Sequence, residues 1–228
     1  NYTGTASEEF VIRKAALTVK ADNKTIKYGE EPQFIAIYQG FVNGETETTT
    51  GVLNGTLAFA CDYVKAGSAD GSGAGSTGAG NTGAERTDNS NAGTYTITPS
   101  GLTSANYEIA FKAGTLTVGR AAGQVSIASV GNKTYGDADF ALSVDKHGSD
   151  GALTYTSDKP EVLTVDSTGN VKLLKTGTAR ITVQMAAGTN HTAATNSIDI
   201  TVAKKAATLQ VTKLDYTTTY GDDIDLGL

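Results

Sequence analysis

The chain has one cysteine, Cys61, and two histidines, His147 and His191, in 228 residues. A lone thiol excludes a disulfide framework within the chain and any zinc site built on cysteines. In LAFACDYV (57–64), alternation puts Leu57, Phe59, Cys61 and Tyr63 on one face of a strand. Cys61 therefore reads as a small buried hydrophobe. A catalytic thiol needs a base beside it, and both histidines fall in a different repeat. Tryptophan is absent. Most tyrosines and phenylalanines fall on predicted inward faces, which disfavours the exposed aromatic platform typical of a sugar site. No apolar run reaches the length of a membrane-crossing helix, and no stretch longer than about ten residues carries a helical apolar stripe. No export signal opens the sequence, which begins and stops inside its own pattern, as expected of a segment of a longer protein. Basic residues are scattered, with no cluster larger than a pair such as Lys204–Lys205, and the net charge is −6. That balance argues against nucleic acid and for a soluble, mildly acidic surface.

What the chain does have is threonine, valine, isoleucine and tyrosine in alternating stretches, the composition of strands. It also repeats itself. IRKAALTV (12–19), VGRAAGQVSI (118–127) and VAKKAATLQV (202–211) each read as strand, basic residue, Ala-Ala, strand. Fourteen or fifteen residues after the basic residue comes Tyr-Gly followed by an acid: IKYGEEP (26–32), KTYGDAD (133–139) and TTYGDDI (218–224). A third element, NYT, NYE or NHT, precedes each joint. Recurrence of this kind marks a structural unit rather than a copied active site. Residues 1–14 are thus expected to be the last strand of a preceding, truncated domain. Residues 15–120 are a full β-sandwich with a Gly-rich insertion at 66–83, residues 121–205 a second sandwich, and residues 206–228 the start of a further truncated repeat. The joints lack proline and leave only two or three residues between strands, which predicts short, stiff connections.

The Tyr-Gly pairs read as turns. Gly29, Gly136 and Gly221 supply a positive φ without steric cost, the tyrosine covers a domain end, and the acids provide local acceptors. Calcium at the joints would need six or more oxygen ligands, and Glu30–Glu31 or Asp222–Asp223 supply too few. The same adjacent pairs point to opposite faces of a strand, so they do not form an acid–base couple.

In the second domain, strands are predicted at 124–128, 140–144, 152–157, 161–165, 170–174, 178–186 and 196–203. Their inward faces are Val125 and Ile127; Phe140, Leu142 and Val144; Leu153 and Tyr155; Leu163 and Val165; Val171 and Leu173; Ala179, Ile181, Val183 and Met185; and Ile198, Ile200 and Val202. DSTGN (166–170) is a tight hairpin, and Pro160 stands just outside a strand. Seven short strands in this length fit an immunoglobulin-like sandwich. In the first domain, strands are predicted near 16–21, 33–38, 55–64, 93–98 and 106–118. The parity change between Phe111 and Leu116 suggests a bulge near Gly114. The fold class is all-β, tandem immunoglobulin-like β-sandwich domains with negligible helix.

YTSDKPEVLTVDSTGNVKLLKTGTARITV (155–183) resembles the bacterial immunoglobulin-like group 2 domains, with Tyr155 where those often have tryptophan. ALTVKADNKTIKYGEEP (16–32) together with GTYTITPSGLTSANYEIAFKAGTLTV (93–118) resembles the MBG repeats of bacterial surface proteins. That likeness covers the first domain apart from its insertion and resumes from 206. The resemblance implies tandem modules of an adhesin or surface stalk, extracellular, on a bacterial surface or secreted.

No catalytic, cofactor-binding or metal-binding residue is assigned, and no ligand-binding residue can be named. AGSADGSGAGSTGAGNTG (66–83) lacks the Lys and the following helix of a phosphate loop and reads as a flexible connection. The Asn-X-Thr triplets at 23–25, 54–56, 132–134 and 190–192 read as turns. Every lysine falls in a turn or on an outward position, which disfavours a Lys–Asn isopeptide crosslink. The expected function is a non-catalytic structural spacer. Its partners are the neighbouring repeats of the same chain, with no nucleic acid, no membrane insertion and no cofactor. The rival class is an adhesive or carbohydrate-binding module that contacts a host or glycan ligand through loops or a sheet face.

Overall fold

A computed structural model of the chain describes residues 8–65, 91–209 and 219–221. Among these residues there is no helix, and all regular structure is β. The first sandwich is built from β1 (Ala15–Ala21), β2 (Lys24–Lys27), β3 (Ala36–Gln39), β4 (Asn54–Cys61), β5 (Gly93–Thr103), β6 (Tyr107–Lys112) and β7 (Gly114–Gly119). One sheet has the order β3-β1-β6, the other β2-β7-β5-β4. β1 shows why these residues form a half-buried strand. Leu17, Val19 and Ala21 are fully buried, while Thr18 and Lys20 point outward. The same alternation places Ile97 in β5 and Leu116 and Val118 in β7 at the interface between the sheets.

The parity change at Gly114 has a different cause from the predicted bulge. β6 pairs with β1 in one sheet, and β7, starting two residues later, pairs with β5 and β2 in the other. The chain changes sheets at Ala113, so the inward parity resets. The short strand β2 falls outside the predicted set; its ladder with β7 is parallel and long-range, with Ile26 as its only buried residue.

The second sandwich comprises β8 (Ser126–Ile127), β9 (Lys133–Thr134), β10 (Phe140–Ala141), β11 (Val144–Asp145), β12 (Leu153–Ser157), β13 (Leu163–Val165), β14 (Asn170–Leu173), β15 (Gly177–Met185) and β16 (Ala194–Ala203). Its sheets run β12-β15-β16-β9, β10-β14-β13 and β11-β8. Every residue predicted to face inward lies in or against one hydrophobic cluster. The predicted strand at 140–144 is two strands, because β10 pairs with β14 and β11 with β8. The 166–170 turn is as expected: Gly169 has φ 86°, and Asp166 Oδ1 accepts from the N–H groups of Thr168 and Asn170 at 2.8 and 2.9 Å. The Thr168 hydroxyl first, and then those backbone donors, hold the Asp166 carboxyl below its ordinary pKa.

Residues 8–14 form no strand, and Phe10, Val11 and Ile12 are exposed; among the described residues no strand pairs with this segment. The predicted insertion at 66–83 lies outside the described residues, as do residues 1–7 and most of 206–228. Among the described residues no helix is long and apolar enough to cross a membrane.

Candidate functional site: the joint between the sandwiches

The recurring Tyr-Gly turn is the local element from which the joint is built. Glu30 N–H donates to Lys27 O at 3.1 Å, closing a four-residue turn with Gly29 at its third position and φ 85°. The acid then reaches back, and Glu30 Oε2 accepts from the Lys27 N–H at 2.8 Å. In the second sandwich, Asp137 N–H donates to Thr134 O at 3.0 Å, Gly136 has φ 92°, and Asp137 Oδ2 accepts from Thr134 N–H at 2.7 Å. The acid following each glycine is therefore a cap on its own turn. Gly221 repeats the positive φ, at 104°. Among the described residues no cluster of three or more His, Cys, Asp or Glu side chains could hold a metal.

Each turn is fixed at the downstream pole of its sandwich. β2 runs parallel to β7 with Lys27 opposite Gly119, and the Tyr28 N–H donates to Gly119 O at 2.8 Å. Gly119 is the last residue of β7. Ala121, two residues on, already bridges His191 of the second sandwich. Ala121 N–H donates to Asn190 O and its carbonyl accepts from Thr192 N–H, both at 2.9 Å. Arg120 alone separates the two ladders, and its Nε–H donates to Thr189 O at 3.3 Å.

Side chains clasp the joint from both sides. Asn190 presents its amide to the first sandwich, where Oδ1 accepts from the Ala92 N–H at 2.8 Å and Nδ2 donates to Asn91 Oδ1 at 3.0 Å. The Tyr28 ring meets the His191 ring edge-on, with centroids 5.3 Å apart and planes at 74°. Asp150 holds this loop in shape. Its Oδ2 accepts from the Asn190 N–H and its Oδ1 contacts His191 Nδ1, both at 2.9 Å. Gly188 makes room for that carboxylate, because a Cβ there would lie 2.3 Å from Asp150 Oδ1. The Asn190 N–H is the largest influence on the Asp150 carboxyl; burial opposes it, and the His191 ring adds to it, so that the pKa falls from 3.8 to about 2.

The sequence reading assigned no site residues. It placed Tyr28 at a domain end, where the structure also puts it. Asn91, Asp150, Asn190 and His191 were missed as a group; NHT (190–192), read as the element before the next joint at 202–211, was the visible signal. Cys61 is half-buried against the cluster around Tyr63 and Ile97, and burial pushes its thiol pKa up, which suits a core position rather than a nucleophile. None of the lysines among the described residues is buried.

Residues 17–117 match the family model described as the MBG domain (YGX type), and residues 151–204 match that of the bacterial Ig-like domain. No curated protein matches the sequence. Solved structures that align with the chain include Drosophila N-cadherin EC1-3, at 11% identity over 83% of this chain and 68% of that one, TM-score 0.30. Domains 1–6 of the surface layer protein SbsC align at 12% identity over 86% of this chain and 28% of that one, TM-score 0.33. Domains 4 and 5 of the S-layer protein SbsC align at 16% identity over 85% and 100%, TM-score 0.29.

Proposed function

With residues 17–117 an MBG domain and residues 151–204 a bacterial Ig-like domain, we propose that the chain is a non-catalytic, stiff spacer segment of a multi-domain bacterial surface or secreted protein. Its repeating modules are residues 15–120 and 121–205. The observation that carries this reading is the joint. One residue, Arg120, links the last ladder of the first sandwich to the first bridge of the second. Short connections with both flanks hydrogen-bonded have no length to spend on reorientation, and the Asn190 clasp fixes the rotation that remains. A spacer transmits position, and a joint of this kind does so. The exposed aromatic residues among those described, Phe10, Tyr135 and Tyr220, stand in the N-terminal segment and in turns, not on a sheet face, which speaks for a spacer over a sugar-binding platform.

The test is a distance distribution. Nitroxides on Thr96→Cys and Gln184→Cys, in a Cys61→Ala background, report across the joint by pulsed electron resonance. One narrow distance is expected, and a broad or multiple distribution would remove the basis of the spacer reading. A glycan array run on the same chain provides the second arm, where selective binding would favour the adhesive module instead.

A further inference from the structure

The two sandwiches carry the same two poles. Upstream, Ala15 stands opposite Tyr107 in a parallel ladder and Ala121 stands opposite His191 in a parallel bridge. Ala15 N–H donates to Asn106 O, and Ala121 N–H to Asn190 O, each at 2.9 Å. The preceding basic side chain reaches the same loop in both, Lys14 Nζ to Ser104 O at 2.8 Å and Arg120 Nε to Thr189 O at 3.3 Å. Asn106–Tyr107 is therefore the first sandwich's version of Asn190–His191. Each ring is held by an acid of its own sandwich, Tyr107 by Glu45 and His191 by Asp150. Downstream, Lys27 faces Gly119 and Thr134 faces Ala203, and the tyrosine N–H donates to Gly119 O in one case and to Ala203 O in the other, at 2.8 and 2.9 Å. Tyr135 is thus the second sandwich's Tyr28.

What differs is what covers the ring. Tyr28 is half-buried and meets His191, whereas Tyr135 is 50% exposed. The turn, its glycine and its capping acid are the same in both, so the local sequence does not account for the difference. The neighbouring sandwich accounts for it. The sequence past Lys205, AATLQV with TTYGDDI behind it, repeats the opening of the first sandwich, AALTV with IKYGEEP.

We infer that Tyr135 and Gly136 form a docking surface for a further sandwich of the MBG kind continuing from Lys205, which presents to Tyr135 the loop that carries an Asn–Tyr pair like Asn106–Tyr107. The upstream pole of the first sandwich shows what that partner offers, a cleft of ≈260 Å³ lined by Lys14, Val42, Asn43, Glu45, Asn106 and Tyr107. The inference rests on the spacer reading and makes it specific, because the stack propagates through one ring per joint.

The chain has no tryptophan, so Tyr135→Trp and Tyr28→Trp, made one at a time, each install a unique indole fluorophore. Residues 1–205 are compared with the same chain continued after Lys205 by a second copy of residues 15–205, in which the native tyrosines are kept. Acrylamide quenching of the indole at position 135 should be strong in the shorter chain and fall in the longer one to the level shown by the indole at position 28. Equal quenching at position 135 in both chains would overturn the inference. Tyr135→Ala in the longer chain, with nitroxides flanking the new joint, gives an independent reading: a distance distribution that broadens on loss of the ring supports the docking surface, and one that does not change rejects it. If the joint at Arg120 stays narrow while position 135 stays open to quencher, this inference fails and the spacer reading stands. If the joint at Arg120 is itself broad, the spacer reading fails first.

Discussion

Among the described residues, the first sandwich divides its buried side chains into two clusters, one around Leu17, Val19, Val52, Leu102 and Tyr107 and one around Ala21, Ile26, Tyr63, Ile97, Leu116 and Val118. The second gathers its buried residues into one, from Val125 to Val202. The chemistry differs with the arrangement. The single cluster is aliphatic at its centre, with Phe140 and Tyr155 only at its edge. The divided core relies on rings whose polar tips tie down loops: Tyr63 OH donates to Glu30 O at 3.2 Å, Tyr95 OH to Asn91 O at 2.7 Å, and Tyr107 OH accepts from Val42 N–H at 3.0 Å. A buried tyrosine keeps a partner for its hydroxyl, so it both fills volume and fixes a turn. The Asn91 carbonyl held by Tyr95 belongs to the residue that meets Asn190 across the joint. The first sandwich's aromatic core thus reaches the joint directly, while the second's aliphatic core supports it from behind.

The sharpest way to break this comparison is to cut into the single cluster. Ile181 is fully buried at its centre, and Ile181→Ala should cost roughly 2–5 kcal/mol through lost burial and an unfilled cavity. Hydrogen exchange is the appropriate readout. Amides of β12, β15 and β16 should lose protection together, while β1, β5 and β7 keep theirs. Loss of protection in β1 and β7 as well would mean that the two sandwiches unfold as one unit.

The corresponding cut in the divided core is smaller and local. Tyr107→Phe keeps the ring but strands the Val42 N–H and the Glu45 carboxylate. The expected loss is roughly 1–3 kcal/mol, seen by denaturant unfolding, with the cluster around Ile97 unaffected. Because Glu45 also raises the Tyr107 pKa through their hydrogen bond, a Tyr107 phenol that titrates lower in Glu45→Gln would check the assignment of that contact.

These two substitutions also show what the sequence made legible. Ile181 lies in TARITVQM, where strict alternation leaves no doubt about the inward face, whereas in EVLTV the adjacent Val162 and Leu163 are both buried and alternation picked out only Leu163. The strands β2 and β9 were not legible, because Lys24–Lys27 and Lys133–Thr134 are short and lysine-bearing, and their parallel partners lie far along the chain. Nor was the change of sheet at Ala113, since a bulge and a crossover produce the same parity shift in sequence. The joint was legible as a repeat but not as a site. Its Asn91, Asp150 and Asn190 come from three separate loops, and only the fold brings them within hydrogen-bond reach. The Asn-X-Thr triplet at 190–192, read as a turn, carries the side chain that holds the two sandwiches together.

A milder perturbation reaches the joint through pH. The Asp150 carboxyl has a folded pKa of about 2 against an ordinary 3.8, so the folded joint binds this proton more weakly than the unfolded chain does. Its contribution is complete above 3.8 and is lost as pH falls through about 2. His191 and the Asn190 N–H are the groups that face it. Between those two values, the amides of Asn190 and Ala92 should lose exchange protection before those of β15. Asp150→Asn should remove this pH dependence, and a joint that stays equally protected to the lower limit in the native chain would deny the carboxylate its role.

The smallest effect is expected from the largest deletion. Residues 66–83 contain no apolar side chain larger than alanine, so they offer little surface for burial. The residues flanking the connection are different in kind. Tyr63 and Val64 are buried in the first sandwich, and Asn91 and Ala92 bond to Asn190. Replacing 66–83 with a Gly-Asn pair while keeping those flanks changes mainly the closure entropy of a loop, which varies slowly with length, so stability should stay within about 1 kcal/mol of the parent. Asn91→Ala, one atom group at the end of the same connection, should by contrast broaden the distance distribution across the joint with little change in melting. If the deletion destabilised the first sandwich and Asn91→Ala left the joint unchanged, the connection would matter for its middle rather than for its end, and the comparison between an aromatic core that reaches the joint and an aliphatic one that supports it would have to be redrawn.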